Sequence, residues 1–314
     1  MTGDPIDRTV ESGSDRKPWH ARCSIRDEDI GVGCMLVESA IGDAYGAGFE
    51  YAEPEFVARY NTMRDYVQHP THPGIRPGAY TDDTQMSLAI AEVLVAGGEW
   101  SRERLAEQFV LAFRRDERVG YSRRFQAFLD TAYTGADLLR RVDPASDKSG
   151  AAMRAGPIGL LADVDDVLNH ARVQASITHD TPLGIEAAQA AALAVHYCHH
   201  RLGPVAELPA WVAGRLGPEW ARPWQGKVGA KGWMSVRAAL TAVATGSGLT
   251  EILRTCVAFT GDVDTVGTIA LCAASRSPEI AQDLPDALIT GLENGAFGRD
   301  YLRELDTRLL ETFA

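Results

Sequence analysis

Two short acidic clusters carry the side chains of this sequence that are best suited to chemistry. One spans residues 81–83 (Thr-Asp-Asp) and the other spans residues 262–265 (Asp-Val-Asp-Thr). Neighbouring carboxylates repel one another, and a cation bound between them relieves that repulsion. Both clusters offer several oxygen atoms within a few residues, so the sequence predicts that they bind metal ions.

The ligand atoms indicate which metal. The clusters offer carboxylate and hydroxyl oxygens, with no paired His or Cys nearby. Such ligands select hard ions, Mg²⁺ or Mn²⁺, over zinc. Two clusters could hold two ions about 3.5 to 4 Å apart, which is an arrangement found in hydrolases. His196, His199 and His200 are the alternative metal group, but no second ligand pair has zinc spacing, and we interpret them as a solvated helix end.

Helix capping is the simpler interpretation of either cluster alone. Each one directly precedes an apolar segment with helical spacing. Asp and Thr at a helix N-terminus satisfy free backbone N–H groups and suit the helix dipole. A cap needs one side-chain oxygen, whereas each cluster supplies several, and this surplus favours the metal hypothesis.

Two further segments could serve such a centre. Residues 42–50 (Gly-Asp-Ala-Tyr-Gly-Ala-Gly-Phe-Glu) hold Asp43 and Glu50 among small residues that allow close backbone contact. Residues 149–154 (Ser-Gly-Ala-Ala-Met-Arg) form a Gly- and Ala-rich loop. A loop of this kind that enters a helix can present backbone N–H groups to a phosphate, although simple tight packing explains the same residues.

These four segments, in this order, resemble the ADP-ribosylglycohydrolase family, which includes the dinitrogenase-reductase-activating glycohydrolases and the ADP-ribosylarginine hydrolases. The similarity runs from about residue 30 to about residue 274. It implies an all-α fold, a compact orthogonal helical bundle. It also implies a dinuclear site for Mg²⁺ or Mn²⁺, two ions per chain, at helix N-termini and loops.

The resemblance implies roles for individual residues. The implied metal ligands are Thr81, Asp82, Asp83, Asp262, Asp264 and Thr265. The implied catalytic residues are Glu50, in the place of a mobile glutamate near the scissile ribose, Asp83 and Asp264. The implied substrate-binding residues include a buried supporting acid, the diphosphate loop and a histidine that borders the cleft: Asp43, Ser149, Gly150, Ala151, Ala152, Met153 and His179.

Two positions depart from the family pattern. Thr260 stands where a second Gly is common, and Val266 stands where a polar residue is common. Neither is an implied metal ligand. The departures therefore bear on the turn before Asp262 and on substrate preference rather than on metal binding.

The implied activity is hydrolysis of the glycosidic bond between ADP-ribose and a modified protein side chain, with the N-glycoside of arginine expected first. Metal ions would anchor the ribose hydroxyls and lower the pKa of a bridging water. Glu50 or one of the aspartates would move the proton, and ring opening is a second route. The alternatives are a serine-linked or other small ADP-ribose conjugate, a non-catalytic ADP-ribose-binding protein, and an unrelated two-metal phosphohydrolase.

The elements that must position these residues are helices. Apolar residues recur at spacings of three and four, and no segment alternates like a strand, so the pattern predicts an all-α protein. The predicted helices cover residues 30–40, 84–94, 104–113, 125–139, 185–197, 235–243, 252–259, 266–275 and 301–312. Long loops are predicted at residues 51–80, 143–150 and 202–231.

The composition of the 314-residue chain excludes several classes of protein. No segment approaches the roughly 20 apolar residues of a membrane helix. A net charge of −12 disfavours nucleic-acid binding. Five widely spread cysteines argue against a disulfide framework and favour the cytoplasm. We expect a polar leader at residues 1–25, a single domain at residues 26–314, and a monomer.

Overall fold

The computed structural model describes residues 33–313. The leader expected at residues 1–25 lies outside this range. Fourteen α-helices form within it: α1 Met35–Ala47, α2 Pro54–Tyr60, α3 Asp82–Ala96, α4 Arg102–Arg115, α5 Arg123–Leu129, α6 Gly135–Arg141, α7 Val164–Ala175, α8 Pro182–His199, α9 Leu208–Leu216, α10 Gly232–Thr245, α11 Leu249–Ala258, α12 Val263–Ala274, α13 Asp286–Gly291 and α14 Arg299–Thr312. Short 3-10 helices lie at Ser149–Ala151, Gly156–Leu160, Val205–Glu207 and Pro218–Ala221.

The prediction of an all-α fold is confirmed. No β-strand forms within residues 33–313, where extended segments meet only as isolated bridges such as Val228 with Gly261. The long helices are rich in Ala and Leu, which have high intrinsic helix propensity. Over the same range, none of the helices combines the length and the apolar character needed to cross a membrane.

Helices α1 and α12 form the centre of the fold and touch backbone to backbone. A Cβ atom on Gly42 would lie 2.4 Å from the carbonyl oxygen of Gly267, and one on Gly46 would lie 2.4 Å from Cα of Asp264. Only glycine permits so close an approach. The contact brings Asp43, which follows Gly42, close to the start of α12 and so joins two of the acidic segments.

The prediction of one helix over residues 125–139 is wrong, because α5 and α6 are separate helices. Thr134 caps α6, and its hydroxyl oxygen accepts the N–H of Asp137 at 3.1 Å. A Cβ atom on Gly135 would lie 2.3 Å from the backbone nitrogen of Glu107, so α6 begins where the chain packs onto α4. A long-range contact therefore overrides the local helical spacing.

The predicted loops contain helices that the periodicity missed. Helix α2 lies inside the loop predicted at residues 51–80, and α9 lies inside the one predicted at residues 202–231. Both helices carry a proline in the first turn, Pro54 and Pro209. Proline counts as a loop signal in a sequence, but it is favourable at the first helical positions because its missing N–H would have no partner there. Helices α7 and α13 were also absent from the prediction.

A strained threonine follows α11. Thr260 has a φ of 64° and its N–H bonds to the carbonyl oxygen of Val257, so a β-branched residue occupies the left-handed position that ends many helices with glycine. We expect Thr260→Gly to raise the free energy of unfolding by about 1 kcal/mol, since strain relief exceeds the added chain entropy.

Urea unfolding would measure this change. The matched control is Thr255→Gly inside α11, which should lower the free energy of unfolding by a few tenths of a kcal/mol because glycine is the poorer helix former. Equal losses in both variants would contradict the strain argument.

Candidate metal centre

The two acidic clusters lie at the starts of α3 and α12, but they do not act as ordinary caps. Thr81 and Asp262 are the N-cap residues, and neither side chain accepts a hydrogen bond from its own helix. The Thr81 hydroxyl donates to Asp43 instead, and Asp262 accepts the hydroxyl of Ser235. Capping therefore does not account for the clusters.

Asp43, on α1, holds the first cluster in place. Its carboxylate is fully buried and accepts four hydrogen bonds from Thr81 and Thr84, at the start of α3. The donors are the N–H and hydroxyl of Thr81, at 2.9 and 2.8 Å, and those of Thr84, at 3.0 and 2.6 Å. Both of its oxygens accept hydrogen bonds, so Asp43 holds Thr81 in place and caps α3 instead of Thr81.

The two aspartates of the first cluster differ in their surroundings. Asp82 is partly exposed, and Gly120 lies against it so closely that a Cβ atom there would be 2.4 Å from the Asp82 Oδ1 atom. Asp83 is 3% exposed, and its buried Oδ2 atom has no hydrogen-bond partner in the described part of the chain. Burial and the charge of Asp43 raise the pKa of Asp83, and a hydrogen bond from Thr265 that offsets part of this rise places the two clusters in contact.

The second cluster is held by a tight turn and by Ser235. Gly261 has a φ of 90° and packs against Val228, whose carbonyl oxygen accepts the N–H of Asp262 at 3.2 Å. The Ser235 hydroxyl donates to Oδ2 of Asp262 at 2.8 Å. Asp264 lies in the first turn of α12, and its Oδ1 accepts the N–H of Thr265 at 2.9 Å.

Glu50 completes the centre from the segment after α1. Three carboxylate oxygens, one from each of Glu50, Asp262 and Asp264, lie within 4.8 Å of one another. The next residue, Tyr51, has a φ of 51°, and its N–H donates to the carbonyl oxygen of Gly261 at 2.8 Å. A non-glycine residue in this conformation is strained, and such strain is concentrated at functional sites.

His69 is a residue of the centre that sequence reasoning missed. Its Nδ1 atom accepts the N–H groups of Thr71 and His72, at 3.1 and 3.0 Å. The ring proton therefore sits on Nε2, which donates to the carbonyl oxygen of Glu50 at 2.7 Å. The only sequence signal was a histidine in a long loop, so the link between that loop and Glu50 required the fold.

We expect His69→Leu to lower kcat/KM about 10- to 100-fold, because Glu50 loses the hydrogen bond that fixes its backbone. His69→Gln keeps an N–H donor at the end of the side chain and should restore most of the activity. His72→Ala is the control, since its exposed ring stacks on His69 while its backbone N–H makes the bond. The three variants would be compared by steady-state kinetics, and equal losses in His69→Gln and His69→Leu would contradict the positioning role.

The carboxyl groups of the centre have raised pKa values, which a bound cation would lower. Burial, with the charges of Asp43 and Glu50, raises the pKa of Asp82 well above its usual range. Burial also raises the pKa of Asp83 and of Asp264, and in each case the neighbouring acids add to the effect. Burial and the charge of Asp262 raise the pKa of Glu50 to about 7. Buried carboxylates with oxygen-only surroundings and an unpartnered Asp83 oxygen fit a hard metal ion.

The predicted phosphate loop lies next to this centre. Burial raises the pKa of Asp262, and a hydrogen bond from Ser149 offsets part of that rise, so the loop begins at the second cluster. The loop residues that follow Gly150 are buried: Ala151, Ala152 and Met153. A Cβ atom on Gly150 would lie 2.9 Å from the ring of His179, which packs beneath the loop. Burial lowers the pKa of His179 to about 3, so this ring is neutral.

Comparison with known proteins identifies the family. A family model described as ADP-ribosylglycohydrolase matches residues 26–314. The chain belongs to the ADP-ribosylglycohydrolase family. A solved structure titled "ADP-ribosylglycohydrolase-related protein complex" has a TM-score of 0.68 and 25% identity to this chain, and the match covers 91% of this chain and 99% of that one.

Curated relatives include two kinds of ADP-ribosylglycohydrolase. "ADP-ribosylhydrolase ARH3" of Xenopus tropicalis is 30% identical over 174 residues, which is 52% of this chain and 48% of that protein. "ADP-ribosyl-[dinitrogen reductase] glycohydrolase" of Rhodospirillum rubrum is 30% identical over 184 residues, or 55% of this chain and 58% of that protein. The chain spans about half the length of the curated relatives that it matches.

Proposed function

We propose that this chain is a metal-dependent hydrolase that releases ADP-ribose from modified protein side chains. The observation that carries the proposal is the meeting of Glu50, Asp262 and Asp264, whose oxygens lie within 4.8 Å of one another. The unpartnered Asp83 oxygen lies in the same acidic centre, because each of these acids acts on the pKa of another. Membership of the glycohydrolase family gives this centre its expected reaction.

The acidic clusters would hold two ions, Mg²⁺ or Mn²⁺. The oxygens available are those of Thr81, Asp82, Asp83, Asp262, Asp264 and Thr265. When bound, the ions supply Lewis-acid polarisation of the ribose hydroxyls and of the attacking water. Asp43 lies behind the ligands and fixes Thr81 through two hydrogen bonds.

Three acids would carry the chemistry. Glu50 has a pKa raised to about 7, which lets it accept or donate a proton near neutral pH. Asp83 and Asp264 would stabilise the positive charge that develops on the ribose as the leaving group departs. His69 would keep Glu50 at the edge of the cluster through the 2.7 Å bond to its backbone.

The loop after Lys148 would receive the diphosphate. Ser149 connects this loop to Asp262, so a ribose at the metal centre would extend its diphosphate toward Gly150 and the residues that follow. The neutral ring of His179 supports Gly150 from beneath. Binding would therefore combine metal ligation of the ribose with backbone N–H donors for the phosphates.

The linkage we propose first is the N-glycoside of arginine. The guanidinium group of an ADP-ribosylated arginine is a cation in the bound substrate, and the acids of this centre attract it. The linking oxygen of a serine conjugate is neutral in the substrate, so that conjugate lacks this attraction. The acidic centre therefore favours the arginine linkage, with an ADP-ribosylated protein as the substrate.

Three conjugates would test this proposal: arginine-linked, serine-linked and nucleotide-linked ADP-ribose, each with Mg²⁺, with Mn²⁺ and with chelator. We expect intact ADP-ribose from the arginine conjugate with metal only, and kcat/KM at least tenfold above the serine conjugate. A faster serine conjugate would reverse the linkage and leave the hydrolase in place. Release of phosphate or AMP, or no release from any metal-loaded sample, would overturn the hydrolase.

A further inference from the structure

Four buried side-chain oxygens have no hydrogen-bond partner within residues 33–313. One is Oδ2 of Asp83, in the candidate metal centre. The other three are Oε2 of Glu38, Oε1 of Gln282 and Oδ2 of Asp306. A buried acceptor without a donor costs stability, so native proteins rarely keep one. The Asp83 oxygen has an explanation in the metal centre, whereas the other three have none there.

These three oxygens come from distant parts of the chain and lie around the start of α1. A Cβ atom on Gly33 would lie 2.5 Å from Oε1 of Gln282 and 2.9 Å from Oε1 of Glu38, so both side chains converge on Gly33. Asp306, on α14, is 1% exposed, and its Oδ1 accepts the N–H of Leu36 at 3.4 Å. Asp306 therefore lies at the first turn of α1, near Glu38, and burial together with the charge of Asp306 raises the pKa of Glu38.

No group in the described part of the chain satisfies all three oxygens. The Nε2 of Gln282 donates to the carbonyl oxygen of Ile280 at 3.0 Å, which fixes the amide with its oxygen toward the cluster. Arg276 is the nearby cation, but it donates to the carbonyl oxygen of Gly33 and to His199. A proton shared by the two carboxyl groups would still leave the amide oxygen of Gln282 without a donor.

We propose that Glu38, Gln282 and Asp306 form a second cation site, separate from the candidate metal centre, for a hard divalent ion of the Ca²⁺ or Mg²⁺ class. Two carboxylates and an amide carbonyl are oxygen ligands, and Ca²⁺ accepts this mixture with waters completing its shell. Glycine at position 33 lets the side chains of Gln282 and Glu38 pack directly against its backbone. The bound ion ties the start of α1 to α14 and to the segment before α13, so its role is to stabilise the fold.

Crystals grown with Mn²⁺ would test the site directly through anomalous scattering. We expect a peak among the oxygens of Glu38, Gln282 and Asp306, in addition to any peak at the metal centre. A map with peaks at the metal centre and none at Glu38 would overturn the proposal. A water or a basic side chain found among the three oxygens would overturn it as well. This outcome does not depend on the proposed hydrolase activity.

Thermal unfolding in Ca²⁺ tests the same site in solution. The test uses the Asp264→Asn variant, in which the metal centre is weakened. Ca²⁺ at 100 times its Kd for the second site should raise the Tm of this variant by about 5 °C. Adding Glu38→Gln, which keeps the shape of the side chain, should remove that rise. Glu304→Gln, an exposed change on α14, is the matched control and should keep it. Equal rises in all three proteins would overturn the proposal.

Discussion

Replacing Asp83 or Asp264 by asparagine should lower the metal-dependent release of ADP-ribose at least about 1,000-fold in kcat/KM, which corresponds to about 4 kcal/mol of transition-state stabilisation. Each change keeps the size of the side chain and removes one negative oxygen from the cluster. Asp83 is buried with an oxygen that has no protein partner, and Asp264 lies within 4.8 Å of two other acids. Both losses should therefore come from weaker metal binding and from poorer stabilisation of the ribose cation.

The measurement is ADP-ribose release at saturating Mn²⁺, together with metal stoichiometry. Asp165→Asn, an exposed acid on α7, is the matched control and should keep full activity. Both centre variants should remain folded, because asparagine removes charge repulsion from a buried site. Full activity in Asp83→Asn or Asp264→Asn would refute the assignment of these residues to the centre.

The two acidic clusters could be predicted from the sequence because each consists of neighbouring residues. Residues 81–83 and 262–265 carry more oxygens than a helix cap uses, and each lies directly before an apolar helix. Helix starts are places where side chains of different helices can converge. The all-α fold followed from apolar spacing, which is also local.

The hydrogen bonds that hold the centre in place could not be predicted from the sequence, because they join segments that are far apart along the chain. The bond from His69 to Glu50 and the bond from Ser235 to Asp262 connect loops and helices that no short-range pattern relates. The family resemblance implied that Asp43 is a buried acid, but its four hydrogen bonds from Thr81 and Thr84 depend on how α1 meets α3. The break between α5 and α6 likewise depends on packing against α4.

The resemblance to a family supplied the expected metal ligands, and the geometry adds a distinction among the acids. Both oxygens of Asp43 accept hydrogen bonds, whereas Oδ2 of Asp83 has no partner in the described part of the chain and one oxygen of Glu50 lies beside Asp262 and Asp264. The resemblance implies a supporting role for Asp43, and the hydrogen bonds show which residues it holds. The distinction predicts that Asp43 acts by holding Thr81, while Glu50, Asp83 and Asp264 act on the substrate or its metals.

The metal-free protein should lose stability as pH rises, and bound metal should prevent that loss. The acids of the centre have folded pKa values above their unfolded values, so the folded state binds more protons than the unfolded state over this range. Their contribution to the free energy of unfolding is therefore fully present below about pH 4, and it is lost as the pH rises through the folded pKa values. For Glu50, which rises from 4.5 to about 7, the loss is about 3 kcal/mol by pH 8.

Thermal unfolding from pH 5.5 to 8.5, with chelator and with Mn²⁺, would measure this effect. Burial lowers the pKa of His179 and His199 to about 3, so these neutral rings favour folding more as pH rises toward 6.5. They affect both samples equally, so the difference in Tm between loaded and chelated protein isolates the acidic centre. That difference should grow with pH, because metal ions compete with protons for the carboxylates.

Asp83→Asn separates the charge effect from other causes of this pH dependence. Asparagine cannot ionise, so the chelated variant should be more stable than the chelated parent protein at pH 8, and its Tm should fall less as pH rises. The same variant should gain less from Mn²⁺, since one ligand is gone. A single substitution that raises the stability of the chelated protein and lowers its activity with metal is the result expected of a buried charge that serves metal binding. A chelated variant that is less stable than the parent at pH 8 would show instead that Asp83 supports the fold.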